Sequence, residues 1–105
     1  MACAIWTPIA TEHLREIAVR IEVDQDRPDV ADKIVREIRD KCELYATSPD
    51  LGQARPDLGP SQRCFSHKAW VIIYSPIEDG IGVEAIYHAA RDYGRVFCSE
   101  SGREE

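Results

Sequence analysis

Apolar residues recur at spacings of three and four along the first half of the chain and run in short unbroken blocks along the second. Leu14, Ile17, Ala18 and Ile21 stand at i, i+3, i+4 and i+7, which places them in one stripe on a helix. Glu12, Arg15, Glu16 and Arg20 mostly turn away from that stripe. Thr7-Pro8 marks the start, with a hydroxyl to cap and a proline for the first turn. A second stripe of Ala31, Ile34, Val35, Ile38, Cys42 and Tyr45 predicts a longer helix that begins at Pro28 and stops at Ser48-Pro49. Asp29 and Asp32 suit the positive end of its dipole, and Glu37 and Lys41 make an i,i+4 pair in the favourable order. Only the polar turn Asp24-Gln25-Asp26-Arg27 separates the two stripes, so an antiparallel helical hairpin is expected.

The blocks read as strands. Ala2 to Trp6 is a short apolar run stopped by Thr7-Pro8. Asp50 to Ser61 carries Gly52, Pro56, Gly59 and Pro60 and reads as a loop. Arg63 to Phe65 begins the next strand. Ala69 to Tyr74 is apolar throughout, as a central strand covered on both faces would be. Asp79-Gly80 signals a turn within a connection, Pro76–Gly80, that reads as longer than a two-residue hairpin loop. Val83 to His88 is the following strand, and from Gly94 onward the chain reads as a weakly patterned tail. Residues 1–98 are therefore expected to form a single domain, with 99–105 a mobile tail. The order β-α-α-β-β-β predicts an α+β fold, a helical hairpin packed on one face of a mostly antiparallel sheet.

Composition narrows the function classes. The 105 residues are 44% apolar and 30% charged, as in a globular domain. A chain of this length buries about 65% of its unfolded surface, enough for one core without staples. The net charge is −6 and the pI about 5.0, which weighs against tight nucleic-acid binding, since that needs a basic patch. Residues 1–49 hold ten acids and seven Lys/Arg, whereas residues 50–98 hold six and five. Four of the five cations in the second half are arginines. Cys3, Cys42, Cys64 and Cys98 show no metal-ligand spacing, and they are expected to be reduced thiols of a cytoplasmic protein. No apolar run approaches the roughly 18 residues of a membrane span. The N-terminal run lacks a charged flank and is broken by Pro8, unlike a signal peptide.

Chemistry-bearing residues gather between Asp50 and Asp92. Arg63 could pair with an acidic partner segment, stabilise a phosphate, or tie its own loop down through backbone carbonyls or Asp57. His88, Arg91 and Asp92 close the last strand. They could supply a base and a cation, contact a partner, or form a local network with His88 buried. His13 and His67 read as solvated, and no metal or cofactor site is legible. Trp70 and Tyr74 share a face of the central strand while Val71 and Ile73 face the other way. They read as core, or as the wall of an apolar groove for a partner's helix or strand. Arg95 and Phe97 could contact a target or fold back over the sheet.

One family fits these pieces in order. Leu14-x-x-Ile17, then Cys42-Glu43-Leu44 with Pro49 and Gly52, then Arg55-Pro56-x-Leu58-Gly59, Arg63-x-Phe65, Val71-Ile-Ile-Tyr74 and His88-x-x-Arg91-Asp92 together resemble the ParE branch of the RelE/ParE toxin superfamily. The resemblance implies a non-enzymatic toxin of a type II toxin–antitoxin pair. Such a toxin binds and poisons DNA gyrase and is neutralised by a ParD-like antitoxin, through which alone it meets operator DNA. Arg55, Arg63, Trp70, Tyr74, His88, Arg91, Arg95 and Phe97 would be its antitoxin- and target-binding residues. The RelE branch implies instead a ribosome-dependent mRNA endoribonuclease with His88 as base and Arg63 and Arg91 on the phosphate. A non-toxic remnant that only binds antitoxin is a third expectation. Glu84 and Ala85 stand where relatives often carry a base, which with the acidic total weighs against the ribonuclease.

Overall fold

Thr7 is the point where the first strand hands over to the first helix. Its Oγ1 accepts the Ala10 N–H at 3.1 Å, the capping bond expected of a threonine before Pro8. The same hydroxyl lies 3.1 and 3.3 Å from the carbonyl oxygens of Val83 and Glu84, which ties this corner to a strand far along the chain. The computed structural model describes residues 2–26, 28–90 and 93–100.

Its elements are β1 (Cys3–Trp6), α1 (Pro8–Gln25), α2 (Pro28–Thr47), a 3₁₀ turn (Pro49–Leu51), β2 (Gln53–Ala54), β3 (Arg63–His67), β4 (Trp70–Ile77), β5 (Gly80–His88) and α3 (Tyr93–Glu100). The five strands form one sheet in the order β1-β5-β4-β3-β2. All neighbours pair antiparallel except β1 with β5. The architecture is therefore α+β, as expected, with α1 and α2 on one face.

That face holds the larger core. Leu14, Ile17 and Ile21 of α1 and Ala31, Ile34, Ile38 and Cys42 of α2 pack on Phe65, Ile72, Tyr74, Ile81, Val83 and Ile86. Ile38, Ile72 and Ile81 are fully buried, and each contributes on the order of 1.5–3 kcal/mol by leaving water. Burial pushes the Cys42 thiol up to about 12, so it behaves as core. Cys64 is also buried and Cys3 is exposed; the side chain of Cys98 lies outside the described part. On the opposite face Phe97 of α3 packs with Leu58, Cys64, Val71, Ile73, Ala85 and Tyr87.

Four expectations are corrected. The weak pattern after Gly94 is not all tail, because Tyr93–Glu100 is helical and buries Phe97 on the sheet; residues 101–105 lie outside the described residues. The β4–β5 connection is a two-residue turn, Glu78-Asp79, not a longer loop. Pro76 sits inside β4 because β3 ends its pairing at Tyr74, leaving that side of the strand without a neighbour. Gln53–Ala54, read as loop, pairs with β3. Glu37 and Lys41 do not pair with each other; Glu37 bonds His67, and the Lys41 ammonium donates to the Ser66 carbonyl. Tertiary contact to the β3 end outcompetes the local helical pair.

The β4–β5 ladder also slips once. Ile73 faces Ala85 and Tyr74 faces Val83, so Glu84 is an extra residue on β5, a β-bulge.

Candidate binding site

The loop after α2 is locked from below by Tyr74. Its hydroxyl donates to the Pro49 carbonyl at 2.7 Å and accepts the Gly52 N–H at 2.9 Å. A Cβ at Gly52 would lie 2.3 Å from that hydroxyl oxygen, so only glycine fits. Tyr74 is wholly buried, with Tyr45 and Phe65 around its ring. It is core and forms no groove wall.

Both loop arginines have internal partners. The Arg63 guanidinium donates to the carbonyls of Asp50, at 3.1 Å, and Gly52. Asp50 Oδ1 adds a weak contact at 3.8 Å. Arg55 grips Asp57 with two parallel bonds of 2.9 and 2.7 Å and donates to the Tyr93 hydroxyl at 2.9 Å. Its guanidinium also faces the Tyr93 ring, 5.3 Å from the centroid. The bond from Arg55 holds the Asp57 carboxyl below the usual carboxylate range. Asp57 thus serves Arg55 rather than Arg63, and the pair anchors the start of α3.

The histidines depart from expectation. His67, read as solvated, is mostly buried at the end of β3 and bonds Glu37 at 2.8 Å, which lowers the Glu37 carboxyl. His88, for which a buried local network was one alternative, is exposed. Its Nδ1 accepts the Ala90 N–H at 3.1 Å, and its ring stands edge-on to Trp70. His13, also read as solvated, accepts the Ile86 backbone N–H on Nδ1 at 3.2 Å and packs on the Tyr87 ring. The Ile86 bond requires a bare Nδ1, so the His13 proton is on Nε2.

These positions separate the residues that a nuclease site would have to unite. Arg63 lies opposite Tyr74, and His88 lies opposite Trp70, at the other end of β4. Four residues of strand put about 13 Å between them along the sheet. Arg91 and Asp92 lie outside the described residues. Among the described residues no group of three or more His, Cys, Asp and Glu is placed to hold a metal ion. Among them, too, no helix is long and apolar enough to cross a membrane.

A concavity lies on another part of the surface. An open groove of about 970 Å³ runs between α1 and the β5 end. Pro8, Ile9, Glu12, His13, Glu16, Ile17 and Arg20 form its helical wall, and Trp70, Ile86, Tyr87 and His88 form its sheet wall. Its mouth is mixed in charge. Glu12 is held by Arg15 at 2.6 Å, whereas Arg20 has no ion-pair partner among the described residues. Trp70 and His88, both expected at a binding surface, do line it. Arg55, Arg63 and Tyr74 do not. Arg95 is exposed on α3 and Phe97 is buried, so this pair divides between surface and core.

The residues that sequence reasoning missed are Ile9, His13, Arg20 and Ile86. Ile9, His13 and Ile17 sit at i, i+4 and i+8 and form one line along α1. That spacing was visible, but it is indistinguishable from a core stripe until Ile9 is seen to be 43% exposed.

A family model described as the ParE toxin of the type II toxin–antitoxin system parDE matches residues 4–93. Among solved structures, a chain described as belonging to the chromosomal ParDE toxin–antitoxin system from P. aeruginosa superposes with a TM-score of 0.70. It is 21% identical, and the match covers 84% of this chain and 96% of that one. No curated protein sequence matches.

Proposed function

Because this chain belongs to the ParE toxin family of the parDE type II toxin–antitoxin systems, we propose that it acts in the cytoplasm by binding DNA gyrase and blocking its cycle, and that a ParD-type antitoxin silences it. The observation that carries a binding mechanism is the groove between α1 and β5, with an apolar floor of Ile9, Ile17, Trp70 and Ile86. Such a groove can take the apolar anchors of a partner segment. Trp70 is the aromatic among them, and aromatics supply much of the energy at protein interfaces.

The placement of the cations supports the same reading. Arg55 and Arg63 are engaged by protein groups, and Arg63 stands away from His88. A phosphate clamp would have to break those bonds first. The antitoxin is therefore expected to be held chiefly by apolar burial in the groove, with Arg20 and His88 at its rim.

A supercoiling and cleavage assay on purified gyrase tests the target. Added toxin is expected to inhibit supercoiling and trap cleaved DNA, and the antitoxin is expected to reverse both. No inhibition at toxin well above gyrase concentration refutes gyrase as the target. Primer extension on translated mRNA tests the mechanism. Cleavage lost in His88→Ala, with the fold intact, would replace the binding reading by a ribonuclease.

A further inference from the structure

β5 runs from Gly80 to His88, but β1 covers only Gly80 to Val83 before the chain turns into α1. The rest of that edge faces the groove. The bulge at Glu84 decides which backbone groups point there. Before it, the Asp79 and Val83 carbonyls accept from Cys3 and Thr7, on the β1 side. After it, the alternation of an antiparallel pair turns Ala85 and Tyr87 toward β4 and turns Ile86 and His88 outward. The Ile86 N–H confirms this direction, because it points at α1 and ends on His13 Nδ1.

An uncovered strand edge offers donors and acceptors to any extended chain, and proteins cover such edges when they are not in use. Here a side chain provides the cover. The imidazole nitrogen of His13 sits where the carbonyl of an added strand would accept the Ile86 N–H.

We propose that the Ile86–His88 edge is the docking line for an extended segment of the ParD-type antitoxin. His13 is the plug that closes the edge in the free toxin and leaves when the segment pairs. The inference rests on the antitoxin-binding reading above and adds the place, the strand geometry and the residue displaced. An extended occupant follows from the outward backbone groups, which a helix, with its own groups bonded internally, does not satisfy. A second copy of this chain fits poorly. Its own unpaired edges, such as those on β1 and β2 and the end of β4 beyond Tyr74, are built into the sheet and cannot enter a cleft between α1 and β5. Alternate side chains of the added strand would meet Ile17, Trp70 and Ile86, and Arg20 favours an acid beside them.

Backbone and imidazole NMR on the full chain test this, with the cognate antitoxin as probe. In the free His13→Phe variant, which keeps a ring against Tyr87 but no acceptor, Ile86 amide exchange should quicken about tenfold. Bound antitoxin should slow the Ile86 and His88 amides again, and in the native chain it should shift the His13 Nδ1 signal. If antitoxin binds yet Ile86 stays fast in the variant and the Nδ1 signal of the native chain is unmoved, the docking line is wrong while antitoxin binding stands. If antitoxin fails to bind the native chain, that reading falls and the occupant with it. Protection of Ile86 that rises with the toxin's own concentration would identify a second copy and overturn the antitoxin as occupant. Should the variant not fold, the Nδ1 signal of the native chain decides alone.

Discussion

The two ends of β4 carry similar side chains and use them in opposite ways. At the Tyr74 end, a tyrosine and two arginines beside a Gly/Pro loop are bonded to carbonyls, a carboxylate and a hydroxyl of the same molecule. At the Trp70 end, a tryptophan, an exposed histidine and Arg20 border an open groove. Residue type alone does not separate the two. The partners within reach do. A loop with few apolar residues of its own needs its arginines to order it, whereas a face already held by a helix stripe can leave its polar groups for another molecule.

The largest effect expected from breaking this contrast is on stability at the Tyr74 end. Tyr74→Ala should cost about 3–5 kcal/mol by cavity formation, and Tyr74→Phe about 1–3 kcal/mol by orphaning the Gly52 N–H. Trp70→Ala, at a half-buried site, should cost about 1–2 kcal/mol. Urea denaturation gives all three, and a Trp70 cost equal to that of Tyr74 would erase the contrast. Arg63→Ala comes next, at about 1–2 kcal/mol in the same assay, because it frees two carbonyls that water only partly satisfies. Arg20→Ala should leave stability within about 0.5 kcal/mol and weaken antitoxin binding several-fold by calorimetry.

The smallest effect is on pH dependence. The Asp57 carboxyl is depressed in the folded state, so its contribution is present at neutral pH and is lost as pH falls below the ordinary carboxylate range near about 4. Asp57→Asn should flatten that acid limb of the stability profile. An unchanged limb would show that the bond to Arg55 is not held in solution.

The helices, the central strands and the α+β arrangement were legible because burial imposes periods of 3.6 and 2 on the residues that face a core. Pro76 misled the reading of the β4–β5 turn, since a proline in a strand is tolerated only where a neighbour is missing, and pairing extent is not written locally. The tail misled for a related reason. Val96 and Phe97 of α3 find their apolar partners on the Leu58 loop and on β3, β4 and β5, so the burial that makes α3 part of the domain depends on residues distant in sequence. The site was legible in part. Trp70 and His88 drew notice by type, but His13 looked like one more polar helix residue. Its role depends on where β1 stops and where β5 bulges, and neither is visible in sequence.

Which end of β4 meets the antitoxin decides between the two roles, and calorimetry of two variants measures this directly. Ile9 lines the groove yet is 43% exposed, so Ile9→Asp should fold normally. It should weaken antitoxin binding by about tenfold or more, as loss of an interface anchor does. Arg63→Ala should leave the affinity within about twofold, well under the 1.4 kcal/mol that a tenfold change represents. Native affinity in Ile9→Asp together with a tenfold loss in Arg63→Ala would contradict the account and return the partner to the loop.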